Sequence, residues 1–451
     1  MTAALLAALA VAQQADTGRG GRPCRVVIDS VGRLGRQVEV APGRYNYYAG
    51  GGVWAHCEGT GSSLTADSAA WYGAEQRFDL VGAVKIRDSL MHLDATTARY
   101  FTREERLDAH RNVVAVNRST GTVLRGPNLT YLRAVAGVRD TSELFASSRP
   151  TIEYRAAGDS AEPYVVIGDR VRLRGNDRMW AGGSVTVDRS DIAARADSMS
   201  LDQTAGWGLL VGRPRVEGKG AQVYTLTGRR IELAIDSGTV RQVRALGAGE
   251  ATGEDWRLVA DTIHLVLRDR KLQQTFAWGD SIRPRAVSRR HTVEADSLAL
   301  DTPDEVLTEM RAFGRALSTS RRDTTAAAEL DWIAGDTLVA RFVQVTDTAG
   351  DTNPELRELV ARGSARALTH LYAHDRETGG AEEAGGRGGQ AGPDINYSRG
   401  TSIAVLLKGD AIDRVVVTGR ADGVHLEKLP PPPADTTRAA TARPAARRPG
   451  P

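Results

Sequence analysis

Short runs in which apolar and polar residues alternate recur along most of the chain. In residues 78–86, Phe78, Leu80, Val84 and Ile86 are predicted to share one face, with charged residues on or near the other. An alternation with a period of two is typical of a β-strand that buries one face. Val, Ile and Thr are frequent in these runs, Gly, Asn and Asp separate them, and no long amphipathic helical pattern occurs. The pattern predicts an all-β protein.

A second pattern is a triplet of a small residue, Asp, and Ser or Thr that follows an apolar strand residue. Its copies are Ala66-Asp67-Ser68, Ala196-Asp197-Ser198, Ala260-Asp261-Thr262, Ala295-Asp296-Ser297 and Gly335-Asp336-Thr337. Fifteen to eighteen residues after each of the first four Asp residues, an apolar run ends in a glycine, namely Gly82, Gly212, Gly279 or Gly314. The glycine that corresponds to Asp336 is Gly363, after an insertion. A period of about thirty residues with two or three short strands each is typical of a repeat architecture.

The recurrence of these residues indicates an architectural role. A carboxylate at a corner can accept backbone N–H bonds, as in an Asx-turn, and a glycine lets a strand bend without a Cβ clash. The structural turn residues predicted in this way are Asp67, Asp197, Asp261, Asp296, Gly82, Gly212 and Gly314. Catalysis by paired carboxylates requires one special pair rather than several equivalent ones. The repeat therefore argues against an enzyme.

Other chemistry-bearing patterns are missing from the sequence. The eight histidines are scattered, and His370 and His374, although four residues apart, lack the His-Glu-x-x-His context of a zinc site. Two cysteines alone cannot form a structural zinc site. The 59 basic and 56 acidic residues are interleaved and leave a net charge of +3, so no nucleic-acid partner is indicated. We expect no metal, no cofactor and no nucleic acid.

The first residues have the character of a secretory signal. Residues 1–12 form a short apolar run that ends in Ala10-Val11-Ala12, although a positively charged start is missing. The alternative is a buried N-terminal helix. We interpret residues 13–23 as a linker. In an exported protein Cys24 and Cys57, each in or beside a strand-like run, are candidates for a disulfide rather than two free thiols.

Four further segments depart from the strand pattern. Residues 377–393 are rich in Gly, Glu and Ala and are predicted to form a flexible loop. Residues 429–451 are rich in Pro, Ala and Arg and are predicted to be a disordered tail. Single helical turns are expected near residues 102–109 and 354–360.

The order Gly-Gly-Gly-Val, Leu-Thr-Ala-Asp-Ser-Ala-x-Trp-Tyr and Leu-x-Gly-x-Val resembles the OstA-like family. These are the LptA-type periplasmic domains of lipopolysaccharide export, also found at the N-terminus of the translocon LptD. Residues 50–135 match this pattern best, residues 184–320 match well, and the rest up to residue 426 match weakly. The resemblance implies an elongated, repetitive and open β-jellyroll, often described as a folded taco, whose groove holds acyl chains.

The resemblance also implies a function and partners. We expect a periplasmic protein that binds lipopolysaccharide or a related lipid and transfers it from the inner to the outer membrane. Its partners would be other jellyroll components of an export bridge, an outer-membrane translocon that is a separate chain, and further copies of this chain stacked head to tail. The chain would form one long array or two modules, residues 24–183 and 184–428.

The apolar face of the strands is the predicted lipid-binding groove. An acyl chain gains ~0.8 kcal/mol per buried CH₂ and needs no directional contacts there. The residues predicted to line the groove are Phe78, Leu80, Val84, Ile86, Leu210, Val216, Ala312, Val415 and Val417. One alternative is that these side chains form a closed β-core. The alternative function is a structural envelope scaffold that pairs with other jellyrolls through its edge strands without binding lipid.

Overall fold

Strands account for most of the described residues. A computed structural model describes residues 25–58, 61–155, 162–220, 223–321, 330–346, 352–371, 393–409 and 411–427. The predicted signal peptide, linker and tail, Cys24, and the predicted loop up to residue 392 lie outside these residues. Within them, no helix is long and apolar enough to cross a membrane.

The described residues form thirty strands and one 3₁₀ turn, Pro303–Glu305. The strands are β1 Arg25–Val31, β2 Leu34–Ala41, β3 Arg44–Glu58, β4 Ser63–Tyr72, β5 Arg77–Arg87, β6 Met91–Phe101, β7 Arg106–Asn117, β8 Val123–Leu132, β9 Glu143–Ser147, β10 Thr151–Tyr154, β11 Tyr164–Ile167, β12 Arg170–Arg174, β13 Arg178–Asp188, β14 Ile192–Asp202, β15 Trp207–Val211, β16 Arg215–Gly218, β17 Tyr224–Thr227, β18 Arg230–Asp236, β19 Thr239–Thr252, β20 Trp256–Arg268, β21 Lys271–Trp278, β22 Arg285–Ser288, β23 His291–Glu294, β24 Ser297–Asp301, β25 Glu309–Arg321, β26 Leu330–Thr346, β27 Thr352–Leu371, β28 Asp394–Lys408, β29 Ala411–Thr418 and β30 Asp422–Leu426. All of their pairings belong to one antiparallel sheet. The prediction of an all-β, elongated and repetitive array of antiparallel strands is confirmed.

The two expected helical turns are wrong. Residues 102–105 form a tight turn, and β7 begins directly after them. Residues 354–360 lie within β27. Pro354 is tolerated there because β28 pairs with β27 only from Glu358 onward, so Pro354 lies on a local edge where its missing N–H is not needed.

Many long strands bend near the middle, and the two halves of each strand pair in different ladders. These bends are aligned along the sheet, and we call their line the corner. In β5, residues 77–81 pair with the second half of β4 and residues 84–87 pair with its first half, and the pairing skips Gly82 and Ala83. The same interruption recurs in nine other strands, namely β3, β4, β6, β7, β13, β19, β25, β26 and β27. Elsewhere one strand ends at the corner and the next begins beyond it, as from β9 to β10. The sheet is therefore folded into two layers.

We call the layer that contains residues 77–81 layer A and the layer that contains residues 84–87 layer B. Layer A runs without interruption from β2 to β29, and layer B runs from β1 to β30. About twenty strand segments at ~4.8 Å spacing make each layer about 100 Å long. The predicted boundary between two modules, at residues 183 and 184, falls on the bend of β13, and pairing continues on both sides of it.

The repeated Asp of one strand lies against the repeated Gly of its neighbour at the corner. A Cβ atom added to Gly82 would lie 2.1 Å from Asp67 Oδ2, and one added to Gly212 would lie 2.4 Å from Asp197 Oδ2. The structure brings together all five Asp–Gly pairs of the sequence pattern in this way. It adds two pairs that the triplet search missed, Asp169 with Gly183 and Thr401 with Gly419.

The contacts of the corner carboxylates vary along the array. Ser281 N donates to Asp261 Oδ2 at 2.7 Å, which is the backbone contact expected of an Asx-turn. At Asp296 the donors are instead the guanidinium groups of Arg283 and Arg315, and Nη2 of Arg315 lies 2.7 Å from Oδ1. The hydrogen bond from Arg315 lowers the pKa of Asp296. Arg315 directly follows Gly314 and shares its positive φ, which directs the arginine back towards the carboxylate.

Replacing a corner glycine should destabilise the array more than replacing a glycine in an open turn. Gly82 and Gly43 both have a positive φ, +79° and +71°, but a Cβ on Gly43 meets open space. Gly43→Ala should therefore cost only the backbone strain, about 1–2 kcal/mol. Gly82→Ala should add about 1–3 kcal/mol for overlap with Asp67. The urea midpoint of unfolding, followed by circular dichroism, measures the difference.

The double variant Asp67→Ala with Gly82→Ala removes the overlap with the carboxylate, whose Oδ2 is the nearest atom at 2.1 Å, and keeps the backbone strain and the 2.7 Å approach to the Cβ of residue 67. It should recover part of the lost stability. Equal losses for Gly82→Ala and Gly43→Ala would contradict the contact at the corner.

Candidate functional site

Alternate residues of both layers face the space between them and form one continuous core. The core extends along the array from Ala66 to Val405. In β5, Leu80 and Val84 flank the corner, and each is 1% exposed. Because the inward side chains of the two layers are this closely covered, the space beside the corner is a packed interior in this structure.

The structure places most of the predicted groove residues in this interior. Leu80, Val84, Leu210, Val216 and Ala312 belong to the core, and Ile86, Val415 and Val417 pack against it half-buried. Phe78 is also buried, but it lies beside Trp71, with the ring centroids 4.4 Å apart. The corner residues Asp67, Asp197, Asp261 and Asp296 lie outside the core, beside their glycines.

In several strands, the exposure of the inward side chains increases with distance from the corner. In β24, Leu298 beside the corner is 1% exposed, whereas Leu300 is half-buried. The same step occurs in β27, from Ala361 to Leu359. The interior is therefore most accessible along the edge opposite the corner. We call this edge the mouth; its turns include residues 88–90 and 118–122 of layer B and 102–105 and 175–177 of layer A.

Polar side chains connect the two layers across the mouth. Arg133, at the end of β8 in layer A, donates from Nη2 to Asp88 Oδ2 of layer B at 3.2 Å. The other carboxylate oxygen of Asp88 accepts the backbone N–H groups of Leu90 and Met91 at 2.7 and 2.6 Å. Asp88 is only 8% exposed. A buried carboxylate with three donors holds this part of the mouth closed.

A second bridge lies further along the mouth. Asn117 Nδ2 of layer B donates to Asn176 Oδ1 of layer A at 2.7 Å, and Asn176 Nδ2 donates to Ser119 Oγ at 3.1 Å. Asn176 and Ser119 are exposed, so water competes for these hydrogen bonds. Such a bridge opens more easily than the buried one at Asp88.

Inward tyrosines line the mouth and remain neutral. Burial raises the pKa of Tyr224 to about 12, and the nearby Glu305 and Asp191 contribute to this rise. Burial and then Asp177 raise the pKa of Tyr154, whose hydroxyl has no hydrogen-bond partner among the described residues. A buried hydroxyl without a partner costs about 1–3 kcal/mol. Tyr154 is therefore a site where a polar group from outside would be stabilised.

Metal-ligating side chains do not cluster in the described part of the chain. The described residues contain no group of three or more His, Cys, Asp or Glu side chains that could hold a metal ion. His370 is buried and hydrogen-bonded through Nδ1 to Asp331 at 2.9 Å, and His374 lies outside the described residues. Cys57, on β3 opposite Val26, is disulfide-bonded, and its predicted partner Cys24 lies outside the described residues.

Removing the buried carboxylate at the mouth should loosen this edge. Asp88→Ala deletes three hydrogen bonds to a charged acceptor, and we expect a loss of about 2–3 kcal/mol and faster hydrogen exchange at Leu90 and Met91. Glu153→Ala is the matched control, since Glu153 forms an exposed ion pair with Arg125 on the outer side of layer B. That change should cost under about 1 kcal/mol. Identical exchange in the two variants would contradict a closed mouth at Asp88.

Comparisons with known proteins give matches among solved structures. No protein-family model and no curated protein matches the sequence. Among solved structures, the chain is similar to LptH of Pseudomonas aeruginosa, described as the LptA-homologous periplasmic component of the conserved lipopolysaccharide transport device. The match covers 32% of this chain and 97% of that chain at 17% sequence identity, with a TM-score of 0.23. A score of this size supports no functional conclusion, and the fold class rests on the strand pairing described above.

Proposed function

We propose that this chain is a periplasmic lipid-binding and transfer protein that carries lipopolysaccharide, or a lipid with similar acyl chains, between membranes. The observation that carries the proposal is the gradient of exposure from a closed corner to a more open mouth along an apolar interior. The resemblance of the repeat to the OstA-like family supports the same function.

Acyl chains would lie between the layers, beside the half-buried inward residues of the mouth. Each buried CH₂ contributes ~0.8 kcal/mol wherever it lies along the array, because the contact is not directional. A lipid can therefore move along about 100 Å of similar surface without a deep energy well. This property suits transfer better than storage.

Binding would require the mouth to widen, because the interior beside the corner is filled by side chains. The exposed bridge at Asn117 and Asn176 would open first, and the layers would separate about the corner. The unpaired hydroxyl of Tyr154 would then meet the polar part of the lipid at the boundary between apolar interior and water. The free energy of acyl-chain burial offsets the lost bridges.

A second candidate function is an envelope scaffold that pairs with other jellyrolls. Its support is the C-terminal edge, where all five residues of β30 are exposed and include Val424 at 54% and Leu426 at 57%. Edge strands of this kind accept a further strand. The two functions are compatible, since a bridge built from stacked copies or partner jellyrolls would need such edges to continue the interior from one protein to the next.

Photo-crosslinking from neighbouring residues that face opposite sides separates these functions. A crosslinker at Ile86 or Leu233, which point inward at half-buried positions, should form adducts with lipopolysaccharide in cells or with purified protein. A crosslinker at Lys85 or Glu232, one residue earlier on the outer face of the same strands, should not. Mass spectrometry of the adducts identifies the lipid.

The outcomes are distinct for the two candidates. Lipid adducts confined to the inward positions support transfer. Adducts only with proteins, or lipid adducts of equal yield at all four positions, would contradict an interior that binds lipid.

A further inference from the structure

The outer side of layer A carries a cleft that the interior function does not use. It has a volume of about 760 Å³ and extends over β8, β9, β12, β13, β14 and β15, with His110 of β7 at one end. Six strands at ~4.8 Å spacing give it a length of about 25 Å. The cleft faces away from the space between the layers, so its occupant would be separate from any lipid in the interior.

One wall of the cleft is a row of two aromatic rings and a guanidinium. Phe145, Arg172 and Trp180 lie opposite one another on adjacent strands. The guanidinium carbon of Arg172 is 5.2 Å from the centroid of each ring, so the cation fixes both rings in place. Phe145 and Trp180 are each 37% exposed. This wall therefore exposes part of two aromatic rings whose positions are fixed by Arg172.

The floor of the cleft is made by small and hydroxyl-bearing residues. Gly182, Ser198 and Ser200 occupy the outward positions of β13 and β14 between the aromatic wall and Val211, which is 40% exposed. A Cβ atom on Gly182 would meet nothing within 4 Å. The depression thus exists because small residues at these positions are flanked by large side chains. The serine hydroxyl groups of the floor can both donate and accept hydrogen bonds.

The charge of the cleft is positive. Arg170 and Arg172 line it, and no Asp or Glu does. Arg172 is hydrogen-bonded to Glu143 at 3.0 Å. Arg170 is exposed and forms no ion pair within the described ranges. Its guanidinium is therefore free to form bidentate hydrogen bonds with a carboxylate or phosphate.

We propose that this cleft binds an acidic oligosaccharide. The C–H faces of pyranose rings pack on Phe145 and Trp180, the sugar hydroxyls bond to Ser198 and Ser200, and an acidic substituent pairs with Arg170. An apolar peptide would leave the hydroxyl floor unused. A nucleic acid would require more than two cations along about 25 Å of backbone. The proposal does not depend on lipid binding in the interior.

Calorimetric titration of the full chain with two forms of one glycan tests this site. Oligogalacturonate supplies the carboxylates, and its methyl ester keeps the sugar backbone and removes the charge. The acid should bind, and the ester should bind at least about tenfold more weakly. Arg170→Ala should abolish that difference, because it removes the group that distinguishes the two forms.

Two further variants probe the walls and floor. Trp180→Ala removes a stacking surface, and Gly182→Leu fills the depression at a position with free space; each should weaken binding of the acid at least about tenfold. Trp278→Ala is the matched control, because Trp278 is a 40% exposed tryptophan on the outer side of β21, beyond the cleft. It should leave binding unchanged.

Several results would overturn the proposal. These are the absence of binding by the acid, equal binding of acid and ester, and binding that survives both Trp180→Ala and Gly182→Leu. Glycan binding is measured independently of lipid crosslinking at Ile86, so either proposal can be overturned while the other stands.

Discussion

The architecture depends on one backbone constraint, the bend at the corner where the chain passes between layer A and layer B. Two residues leave the ladder there, and the first is usually a glycine with a positive φ, such as Gly82 or Gly314. The neighbouring strand places an Asp over the glycine, where a Cβ would overlap it. Because the same bend recurs in register, a single sheet folds onto itself along its whole length and no second sheet is needed to cover its apolar face.

This constraint makes the interior asymmetric. The corner is covalently continuous, and residues beside it, such as Leu80 and Ile403, are 1% and 0% exposed. Among the described residues, the side-chain contacts that join the mouth include the buried ion pair at Asp88 and the exposed amide bridge at Asn176. Weak closure on one side and permanent closure on the other allow the layers to separate without losing their strand pairing. A protein that must admit and release lipid needs such a combination.

Much of the fold could be predicted from the sequence because the same strand and corner pattern recurs several times along the chain. The Asp–Gly spacing of fifteen to eighteen residues, as in Asp197 and Gly212, identified pairs that the structure places in contact. Alternation identified the inward face of β5. The corner pair of Asp169 and Gly183 was missed because their separation of fourteen residues and the lack of Ser or Thr after Asp169 fall outside the triplet pattern.

What could not be predicted depends on register between strands distant in the sequence. Alternation shows that Leu298 and Leu300 share a face, but only the bend decides that the first is buried and the second lies near the mouth. The bridge between Asn117 and Asn176 joins residues 59 positions apart. The outer cleft likewise requires Phe145 and Trp180 to flank the same arginine. Single polar or aromatic residues in a strand carry no sign of such partners.

The proposed lipid transfer requires the layers to separate at the mouth and to remain joined at the corner when lipid binds. Spin labels at Ser89 and Arg103, exposed residues in turns of opposite layers at the mouth, report this motion through their distance distribution. Labels at Val81 and Lys85, on either side of the corner, provide the reference. On addition of lipopolysaccharide, the distance across the mouth should increase while the distance across the corner stays the same. An unchanged distance across the mouth, or an equal change in both distances, would contradict this separation of the layers.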